Sequence, residues 1–334
     1  MDTAALDVLC CPICRESLHW RIISRVGSWI ENADAACPGS HAFWVRDGIA
    51  DLLHPVSGST DLWKAGASAL QQLLSDEPEI ASRLLGPTPE GLSAADQFLR
   101  VFALEASGRI PEALAEEDAA AVAVYGRELR NALADAVALV RSSIASGGIL
   151  VDLASGRGGL LQHLLDGPAG VIVATDISVT GLRSLGGRLA AMGHARRVSL
   201  LAADARRLPL RDGSIDSLTT LEGLPNIEWA AARPAETLRE LRRVTRGAFY
   251  NIQTLYPAED QVHRRLFEKQ GLSPVVYEPA LLDLMRHTGW TADVELRRPT
   301  TIKPSPPSEL VPEWRIDTVP LHETRATVCV VTGR

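Results

Sequence analysis

The second half of the chain alternates short apolar runs with amphipathic segments. From residue 147 onward the candidate strands are GILVDLA, GVIVATDI, VSLLAAD, IDSLTTL, GAFYNIQ, ADVELRR and ATVCVVT. Helical spacing between them is seen in GGLLQHLL, SVTGLRSLGGRLAAM, ARPAETLRELRRV and EPALLDLMRHTGW. Strands that alternate with helices are joined by right-handed crossovers, which cover both faces of a largely parallel sheet. The pattern therefore predicts an α/β fold with a doubly wound sheet.

Two other segments precede this α/β domain, which we place at residues 146–334. Residues 1–58 contain four of the five cysteines and only short strand-like runs, so a small separate module is predicted there. Residues 59–145 are rich in Ala and Leu and show helical spacing in ALQQLL, EIASRLL, AADQFLRVFAL and YGRELRNALADAVALV. Because these helices carry no catalytic pattern, they are expected to form the roof of a pocket, the surface of a homodimer, or both.

Composition narrows the class of protein. With 46% hydrophobic and 22% charged residues, the 334-residue chain is typical of soluble globular proteins. No apolar run reaches the ~20 residues that span a bilayer, and the acidic start MDTAALDVLCC lacks the basic region of a signal peptide. A cytoplasmic protein without a membrane partner is therefore expected. The formal net charge of -7 argues against nucleic acid as the main partner.

A glycine-rich turn, ASGRGG, follows the first candidate strand. Gly156 and Gly158 allow positive φ and a close approach of a ligand to the backbone. In open α/β sheets, ligands bind beyond the carboxyl ends of the strands, where this turn lies. A dinucleotide places its diphosphate at such a turn, and Asp152, just ahead of it, would repel that group. Asp152 suits a ligand with an ammonium, a sulfonium and no phosphate, as in S-adenosylmethionine.

Two further strands of this domain also end in an aspartate. Asp176 closes VIVATD, where an acid can accept both hydroxyls of a ribose. Asp204 follows VSLLAA, where it can accept the exocyclic amine of adenine while the Ala205 N–H pairs with the ring. Each acid has a structural alternative, a helix N-cap for Asp176 and a turn residue for Asp204. Three strand-end acids in register with one glycine turn favour the cofactor interpretation.

These motifs resemble those of the class I S-adenosylmethionine-dependent methyltransferases, especially the branch similar to ubiquinone and menaquinone C-methyltransferases. The family's D-x-G-x-G-x-G turn matches residues 152–158, with Ala154 in place of the first glycine. Its A-D-A-x-x-L-P-[FL]-x-D-[GN]-S-F-D motif matches residues 203–216. The resemblance covers about residues 147–250 and implies a seven-stranded, Rossmann-like sheet whose last strand is antiparallel. It implies cofactor contacts at Tyr125, Asp152, Ala154, Gly156, Gly158, Asp176, Ile177, Asp204, Ala205 and Leu221.

The cysteines of the first module have the spacing of metal ligands. Cys11 and Cys14 form a C-x-x-C knuckle, and Cys37 with His41 forms C-x-x-x-H. Three thiolates and one imidazole make a closed tetrahedral set that suits structural Zn2+, with no open position for catalysis. Cys10 competes for the place of Cys11, but only Cys11 has the two-residue spacing to Cys14. The alternative is a group of buried cysteines that bind no metal.

Over about residues 6–56 this module resembles the small zinc module in front of bacterial large-subunit rRNA guanine-N1 methyltransferases. RNA binding relies on clustered Lys and Arg, whereas residues 1–58 are net acidic. The module's aromatic residues can stack on bases, but in so small a fold they are expected to form the core. The module is therefore not expected to bind nucleic acid.

The segment after the fourth strand, TTLEGLPN, should face the methyl group in this fold. Glu222 and Asn226 are candidate substrate contacts, and Glu222 can act as a general base; simple loop polarity is the alternative. His263, in YPAEDQVHRRLFEKQG, is a candidate acid/base donor on a lid, with a solvated helical face as the alternative. Tyr250 is a further candidate for the wall of the substrate pocket.

The sequence thus predicts a cytoplasmic S-adenosylmethionine-dependent methyltransferase that acts on a small molecule, with secondary metabolism as one setting. An rRNA base methyltransferase is the second hypothesis. A third is an enzyme that uses the same cofactor for lyase or cyclisation chemistry, without methylating an acceptor. A fourth is a non-catalytic cofactor-binding protein that partners another enzyme. Because the sulfonium is already activated, methyl transfer needs mostly alignment, and these motifs do not identify the acceptor.

Overall fold

The computed structural model describes residues 1–54, 61–231, 233–317 and 319–334. The predicted module boundary at residue 58 lies outside these ranges. Within them the strands are β1 (His19–Val26), β2 (Trp29–Ala36), β3 (Ala42–Arg46), β4 (Ile49–Asp51), β5 (Ile149–Leu153), β6 (Val171–Asp176), β7 (Val198–Ala202), β8 (Ile215–Leu221), β9 (Thr245–Leu255), β10 (Ala292–Ile302) and β11 (Thr324–Gly333). The helices are α1 (Thr3–Leu6), α2 (Leu62–Asp76), α3 (Pro78–Leu84), α4 (Ala94–Ala106), α5 (Ile110–Ser143), α6 (Val179–Ala191), α7 (Gly223–Ala231), α8 (Pro234–Val244), α9 (Gln261–Lys269), α10 (Ser273–Val276) and α11 (Glu278–His287).

Strands β5 to β11 form the α/β domain. Their order in the sheet is β7-β6-β5-β8-β9-β11-β10. Strands β5 to β9 run parallel to one another, whereas β11 lies antiparallel between β9 and β10. The strand order reverses at β5, and in sheets of this kind ligands bind in the crevice beyond the carboxyl ends of the strands at that point, here β5 and β8. The predicted α/β class is confirmed.

The cysteine-bearing module is not structurally separate, because its four strands continue the sheet of the α/β domain. The result is one sheet of eleven strands among the described residues. Strands β1 to β4 form an antiparallel meander, and β4 pairs parallel with β7, Ile49 opposite Leu200. Two backbone bonds outside the ladder reinforce the joint: the Cys10 N–H donates to Pro209 O and the Arg211 N–H to Val8 O, both at 2.9 Å. The module thus covers an edge of the sheet that would otherwise offer unpaired backbone groups.

The helix predicted directly after the glycine turn, in GGLLQHLL, is wrong. Only one 3-10 turn forms there, over Leu161–His163. Gly158 has a φ of 84°, which an α-helix does not allow, and Gly167 and Pro168 end the segment a turn later. The stretch between these glycines is too short to offset the cost of nucleating an α-helix.

Helices α2 to α5 and the β10–β11 connection form a roof over the carboxyl edge of the sheet. Glu105 on α4 bonds both Arg157 of the glycine turn (2.9 Å) and Arg188 of α6 (2.7 Å). The connection is tied to α4 where Ser308 donates to the buried Asp96. These contacts favour the pocket-roof interpretation, and the dimer surface stays a prediction. Among the described residues, no helix combines the length and the apolar character that crossing a membrane requires.

Candidate active site

Asp152 is buried where β5 ends, and it has only 2% of its surface exposed. The Thr219 hydroxyl on the neighbouring β8 donates to its Oδ1 at 2.9 Å. Burial raises the pKa of this carboxyl to about 7, because the charged form loses its hydration. The turn that follows holds Ala154 at a φ of 51°, a left-handed conformation that costs an alanine about 1 kcal/mol.

Asp176 ties the glycine turn to the end of β6. Its Oδ2 accepts the N–H of Gly156 and its Oδ1 the N–H of Ser178, both at 2.9 Å. The residue that caps α6 is Ser178, whose hydroxyl accepts the Gly181 N–H, so the N-cap alternative for Asp176 is wrong. Burial raises the pKa of Asp176. Each carboxylate oxygen retains acceptor capacity for a further hydrogen bond, as the predicted ribose contact requires.

Asp204 follows β7 and is 4% exposed. Arg206 holds its carboxylate in a fork, with Nε 2.9 Å from Oδ1 and Nη2 2.7 Å from Oδ2. A purine amine would have to share these oxygens with the guanidinium. The predicted neighbours lie at the same edge, since Ala205 follows Asp204, Ile177 follows β6 and Leu221 ends β8.

Gly156 and Gly158 of the turn lie against different neighbours, so a side chain would be obstructed by a different residue at each position. A Cβ on Gly158 would lie 2.7 Å from Leu185 Cδ1, so this glycine lets the turn pack on α6. A Cβ on Gly156 would lie 3.0 Å from Cζ2 of Trp63, a residue of α2 that the sequence reasoning did not single out. The one available signal was that Trp63 is the only tryptophan of residues 59–145.

Glu222 stands directly after β8, beside the glycine turn. A Cβ on the next residue, Gly223, would be 3.3 Å from the Cβ of Ala154. Glu222 has a φ of 53°, and its Oε1 accepts the Thr254 N–H at 2.6 Å. Burial, opposed by that hydrogen bond, raises the pKa of the carboxyl to about 7. A strained, desolvated carboxyl that titrates near neutrality is typical of functional sites.

Three further polar side chains surround Glu222, and two of them were missed. Burial raises the pKa of Tyr125 and of Asp317, and the two lie close enough for the Asp317 carboxylate to raise the pKa of the Tyr125 hydroxyl further. Tyr256, just beyond β9, lies close enough to Glu222 and Asp317 for their charges to raise its own pKa further. Tyr125 precedes the break in α5 at Gly126, which has φ 80° and ψ 156°. Asp317 belongs to a proline-rich connection whose sequence gives no sign that it returns to this site.

His263 lies in α9 with none of its surface exposed. Its Nδ1 is 2.7 Å from Asp260 Oδ2, and its Nε2 accepts the Leu321 N–H at 2.8 Å. These bonds fix a neutral ring with the proton on Nδ1 and leave neither nitrogen for a substrate. The predicted acid/base role of His263 is wrong: it anchors the segment ahead of β11. Although His322 completes a group of metal-ligand type with Asp260, the same bonds leave no lone pair on His263 for a metal.

The structure places the two predicted substrate contacts, Tyr250 and Asn226, in different environments. Tyr250 is 5% exposed within the core, and its hydroxyl donates to Ser143 O at 2.9 Å, so its predicted place in the pocket wall is wrong. It faces α5 because side chains alternate along β9. Asn226 is exposed on α7, and its Nδ2 donates to Glu222 O at 2.8 Å. A substrate contact at Asn226 stays a prediction.

The predicted metal ligands are brought together in the N-terminal module. The ligand atoms of Cys11, Cys14, Cys37 and His41 all lie within 4.8 Å of one another. His41 Nδ1 is 3.5 Å from the Cys11 sulfur and 3.2 Å from the Cys37 sulfur, and the sulfurs of Cys14 and Cys37 are 3.5 Å apart. Tetrahedral Zn2+ requires about 3.8 Å between two sulfurs and about 3.6 Å between sulfur and nitrogen. Cys10 is outside this group.

Comparison with known proteins identifies the class of the domain. Residues 151–248 match the family model described as a methyltransferase domain. This matched segment includes the glycine turn and the three strand-end aspartates.

Individual relatives resemble the chain over different lengths. Over 75 residues it is 45% identical to demethylmenaquinone methyltransferase of Mycobacterium marinum, a match that covers 22% of this chain and 27% of that protein. The solved YcgJ protein of Bacillus subtilis is 13% identical, with a TM-score of 0.46 over 60% of this chain and 97% of that one. A putative methyltransferase of Bacillus halodurans is 16% identical, with a TM-score of 0.45 over 59% of this chain and 97% of that one.

Proposed function

We propose that the chain is an S-adenosylmethionine-dependent methyltransferase whose acceptor is a small molecule and whose N-terminal module holds a structural Zn2+. The observation that carries the proposal is the pair of hydrogen bonds that the Gly156 and Ser178 N–H groups donate to Asp176. These bonds hold a carboxylate against the glycine turn. Asp176 in this arrangement suits a ribose, and the buried Asp152 ahead of the turn disfavours a diphosphate, because a buried acid repels phosphate. The matching family model supports the same cofactor.

The residues at the crevice fit the cofactor. Asp176 would hold the ribose hydroxyls, the Ala205 backbone the adenine ring, and Asp152 the amino group of the methionine part. Gly156 presents backbone without a side chain, and its φ of 49° is one that other residues adopt at a cost. When bound, the cofactor supplies an activated methyl group on a sulfonium. The chain contributes alignment of the acceptor and removal of its proton.

Glu222 is the residue best placed to take that proton. Its Oε1 is engaged by the Thr254 N–H, so we assign the proton to Oε2. With a pKa of about 7 the carboxyl is partly ionised at neutral pH, which suits a general base. Asp317 adds to the raised pKa of Glu222, because two nearby carboxylates resist ionising together.

A small acceptor suits the enclosure of this site. The roof places Tyr125 from α5 and Asp317 from the β10–β11 connection next to Glu222, and Tyr256 lines the site from beyond β9. An acceptor must therefore reach the methyl group between a helix and a connection that are packed on each other. A single ring or short chain meets this condition more easily than a base within a folded RNA.

The Cys and His side chains of the module support zinc as a structural ion. All four ligand atoms lie within 4.8 Å of one another, and the three shortest separations, 3.2–3.5 Å, need to widen by only a few tenths of an ångström around a tetrahedral Zn2+. Four protein ligands leave no open position, so we assign the ion to the stability of strands β1 to β4 and not to catalysis. A meander this small has little core of its own and needs such a crosslink.

Two measurements test the function. Calorimetry should show one S-adenosylhomocysteine per chain, and mass spectrometry of a metabolite pool incubated with enzyme and cofactor should show a gain of one methyl group. Glu222→Gln is the matched control, expected to keep the binding and lose most of the turnover. Binding without any methylated product, or production of methylthioadenosine, would replace methyl transfer with a binding role or with lyase chemistry.

One observation favours rRNA as a second candidate substrate. A cleft between the metal knuckle and α8 is lined by Arg15, Arg206, Arg207, Arg239 and Arg243. Glu240 engages two of them, Arg15 and Arg243, which reduces the positive charge offered to a phosphate. If RNA is the substrate, an rRNA fragment should bind with an affinity that falls steeply with salt. Absence of binding at low salt would remove this candidate.

A further inference from the structure

Trp63 lies in the first turn of α2, a helix that is lightly anchored. Asp61 caps the helix, its Oδ1 accepting the Lys64 N–H at 2.8 Å. None of the described side chains of α2 is fully buried. Two residues of its second half, Leu70 and Leu74, pack against the apolar cluster of Leu84, Leu99 and Ala103 in the roof. The turn that carries Trp63 contacts the glycine turn and α6 through the indole ring.

The indole rests on two glycines that flank Asp176. A Cβ on Gly156 would meet its Cζ2 at 3.0 Å, and a Cβ on Gly181 would meet its Cδ1 at 3.2 Å. Gly156 is the residue whose N–H bonds Asp176, and Gly181 lies in the first turn of α6. The ring thus spans the bare backbone on both sides of the carboxylate assigned to the ribose.

We propose that Trp63 is a residue of the cofactor site, whose indole occupies the nucleoside subsite until the cofactor binds. This inference rests on the proposed function, because it takes Asp176 and Gly156 as the ribose site. A ribose and an indole both require van der Waals contact with Gly156, so they compete for one surface. Entry of the nucleoside moves the first turn of α2 outward, and the displaced ring then covers the bound ligand.

The neighbouring charges agree with a displaceable contact. Asp61 lies close enough to Asp176 for its charge to raise the pKa of the buried carboxyl further. Repulsion between the like charges of Asp61 and Asp176 opposes the closed arrangement, while the contact of the indole with Gly156 and Gly181 favours it. A turn balanced in this way can open without unfolding the roof, since Leu70 and Leu74 stay packed.

The expected effect is kinetic. If the open arrangement holds about 10% of the ligand-free molecules, removing the indole raises the apparent association rate about tenfold. Loss of the cover also raises the dissociation rate, so the equilibrium affinity changes less than either rate. Trp63→Phe keeps a ring that fits the glycine surface and should stay within about threefold of the wild type in both rates.

Surface plasmon resonance of the full chain with S-adenosylhomocysteine as probe measures both rates. Trp63→Ala should bind and release the probe faster, and Lys64→Ala, next along α2, should match the wild type. As a second readout, probe binding should change tryptophan emission in the wild type more than in Trp63→Phe. Unchanged rates in Trp63→Ala, or slower association, would overturn the inference. Failure of the wild type to bind the probe would overturn the proposed function instead.

Discussion

Replacing Asp176 by alanine tests the cofactor site at the residue on which it depends. The substitution removes two acceptors that the Gly156 and Ser178 N–H groups use. Leaving such donors without a partner costs about 1–3 kcal/mol each, and relief of the desolvated charge offsets part of this. A net loss of about 2 kcal/mol would lower the melting temperature by about 4–8 °C and leave the protein folded at 25 °C.

The effect on the cofactor is larger than the effect on stability. Two hydrogen bonds from ribose hydroxyls to a charged acceptor contribute about 1.5–3 kcal/mol each. Their loss should weaken binding of S-adenosylhomocysteine by about 10²–10⁴-fold. Because burial raises the pKa of Asp176, wild-type binding should also weaken as the pH falls through that raised pKa.

Calorimetry and thermal denaturation of the same samples separate these effects. Asp166→Ala, at an exposed aspartate of the same domain, is the control and should change neither binding nor melting. Asp176→Asn keeps one acceptor oxygen and should melt closer to the wild type while binding nearly as poorly as the alanine variant. Unchanged affinity in a folded Asp176→Ala protein would refute the placement of the ribose.

Four further outcomes follow from other contacts in the structure. Glu222→Gln should lower kcat by about 10²–10⁴-fold and abolish the fall in wild-type kcat below a pH of about 7; a retained acidic limb would point to another base. Folding raises the pKa of Glu222 from 4.5 to about 7, so the free energy of unfolding of the wild type should fall as the pH rises from about 4.5 to about 7. This fall should be smaller in Glu222→Gln. Chelation of zinc, or Cys14→Ser, should increase hydrogen exchange in β1 to β4 and in β7, because β4 pairs with β7; unchanged exchange in β1 to β4 would argue against a structural ion. Glu105→Gln should cost about 1.5–3 kcal/mol, because Arg157 and Arg188 are largely buried but keep Glu117 as a second partner. Glu268→Gln, in an exposed pair, should change the free energy of unfolding by less than about 1 kcal/mol, and equal losses would show that the buried network contributes little.

Local patterns were sufficient where one segment determines its own structure. The apolar runs of the α/β domain predicted its strands, because a buried parallel strand is apolar on both faces. The C-x-x-C and C-x-x-x-H spacings predicted which side chains meet, since each knuckle places two ligands within a few residues of each other. Asp152 and Asp176 were found for the same reason, as each lies at the end of a strand next to the glycine turn.

Contacts between distant segments were not predictable in this way. Nothing in the sequence of β4 indicates that it pairs with β7, because a strand of only three residues carries no partner signal. Trp63 and Asp317 reach the crevice only through the packing of α2 and of the β10–β11 connection. Both interpretations of His263 assumed an accessible ring, because a histidine in a charged helix is usually solvated. In the structure the ring is hydrogen-bonded to Asp260 and Leu321.

Tyr250 shows a related limit. An aromatic residue in a strand near the site fits a pocket wall and a core position equally well in sequence. The direction of its side chain depends on the register of β9 against β8 and β11, which pairs Tyr250 with Thr219 and Thr332. That register is a property of the whole sheet and turns the ring toward α5.

The most direct test is a crystal structure of the chain grown with S-adenosylhomocysteine. The nucleoside should lie over the glycine turn, with its ribose hydroxyls on Asp176, its adenine beside Ala205 and its sulfur toward Glu222. A crevice that stays empty at saturating ligand, or that instead accepts a nicotinamide dinucleotide, would contradict the assignment of this site.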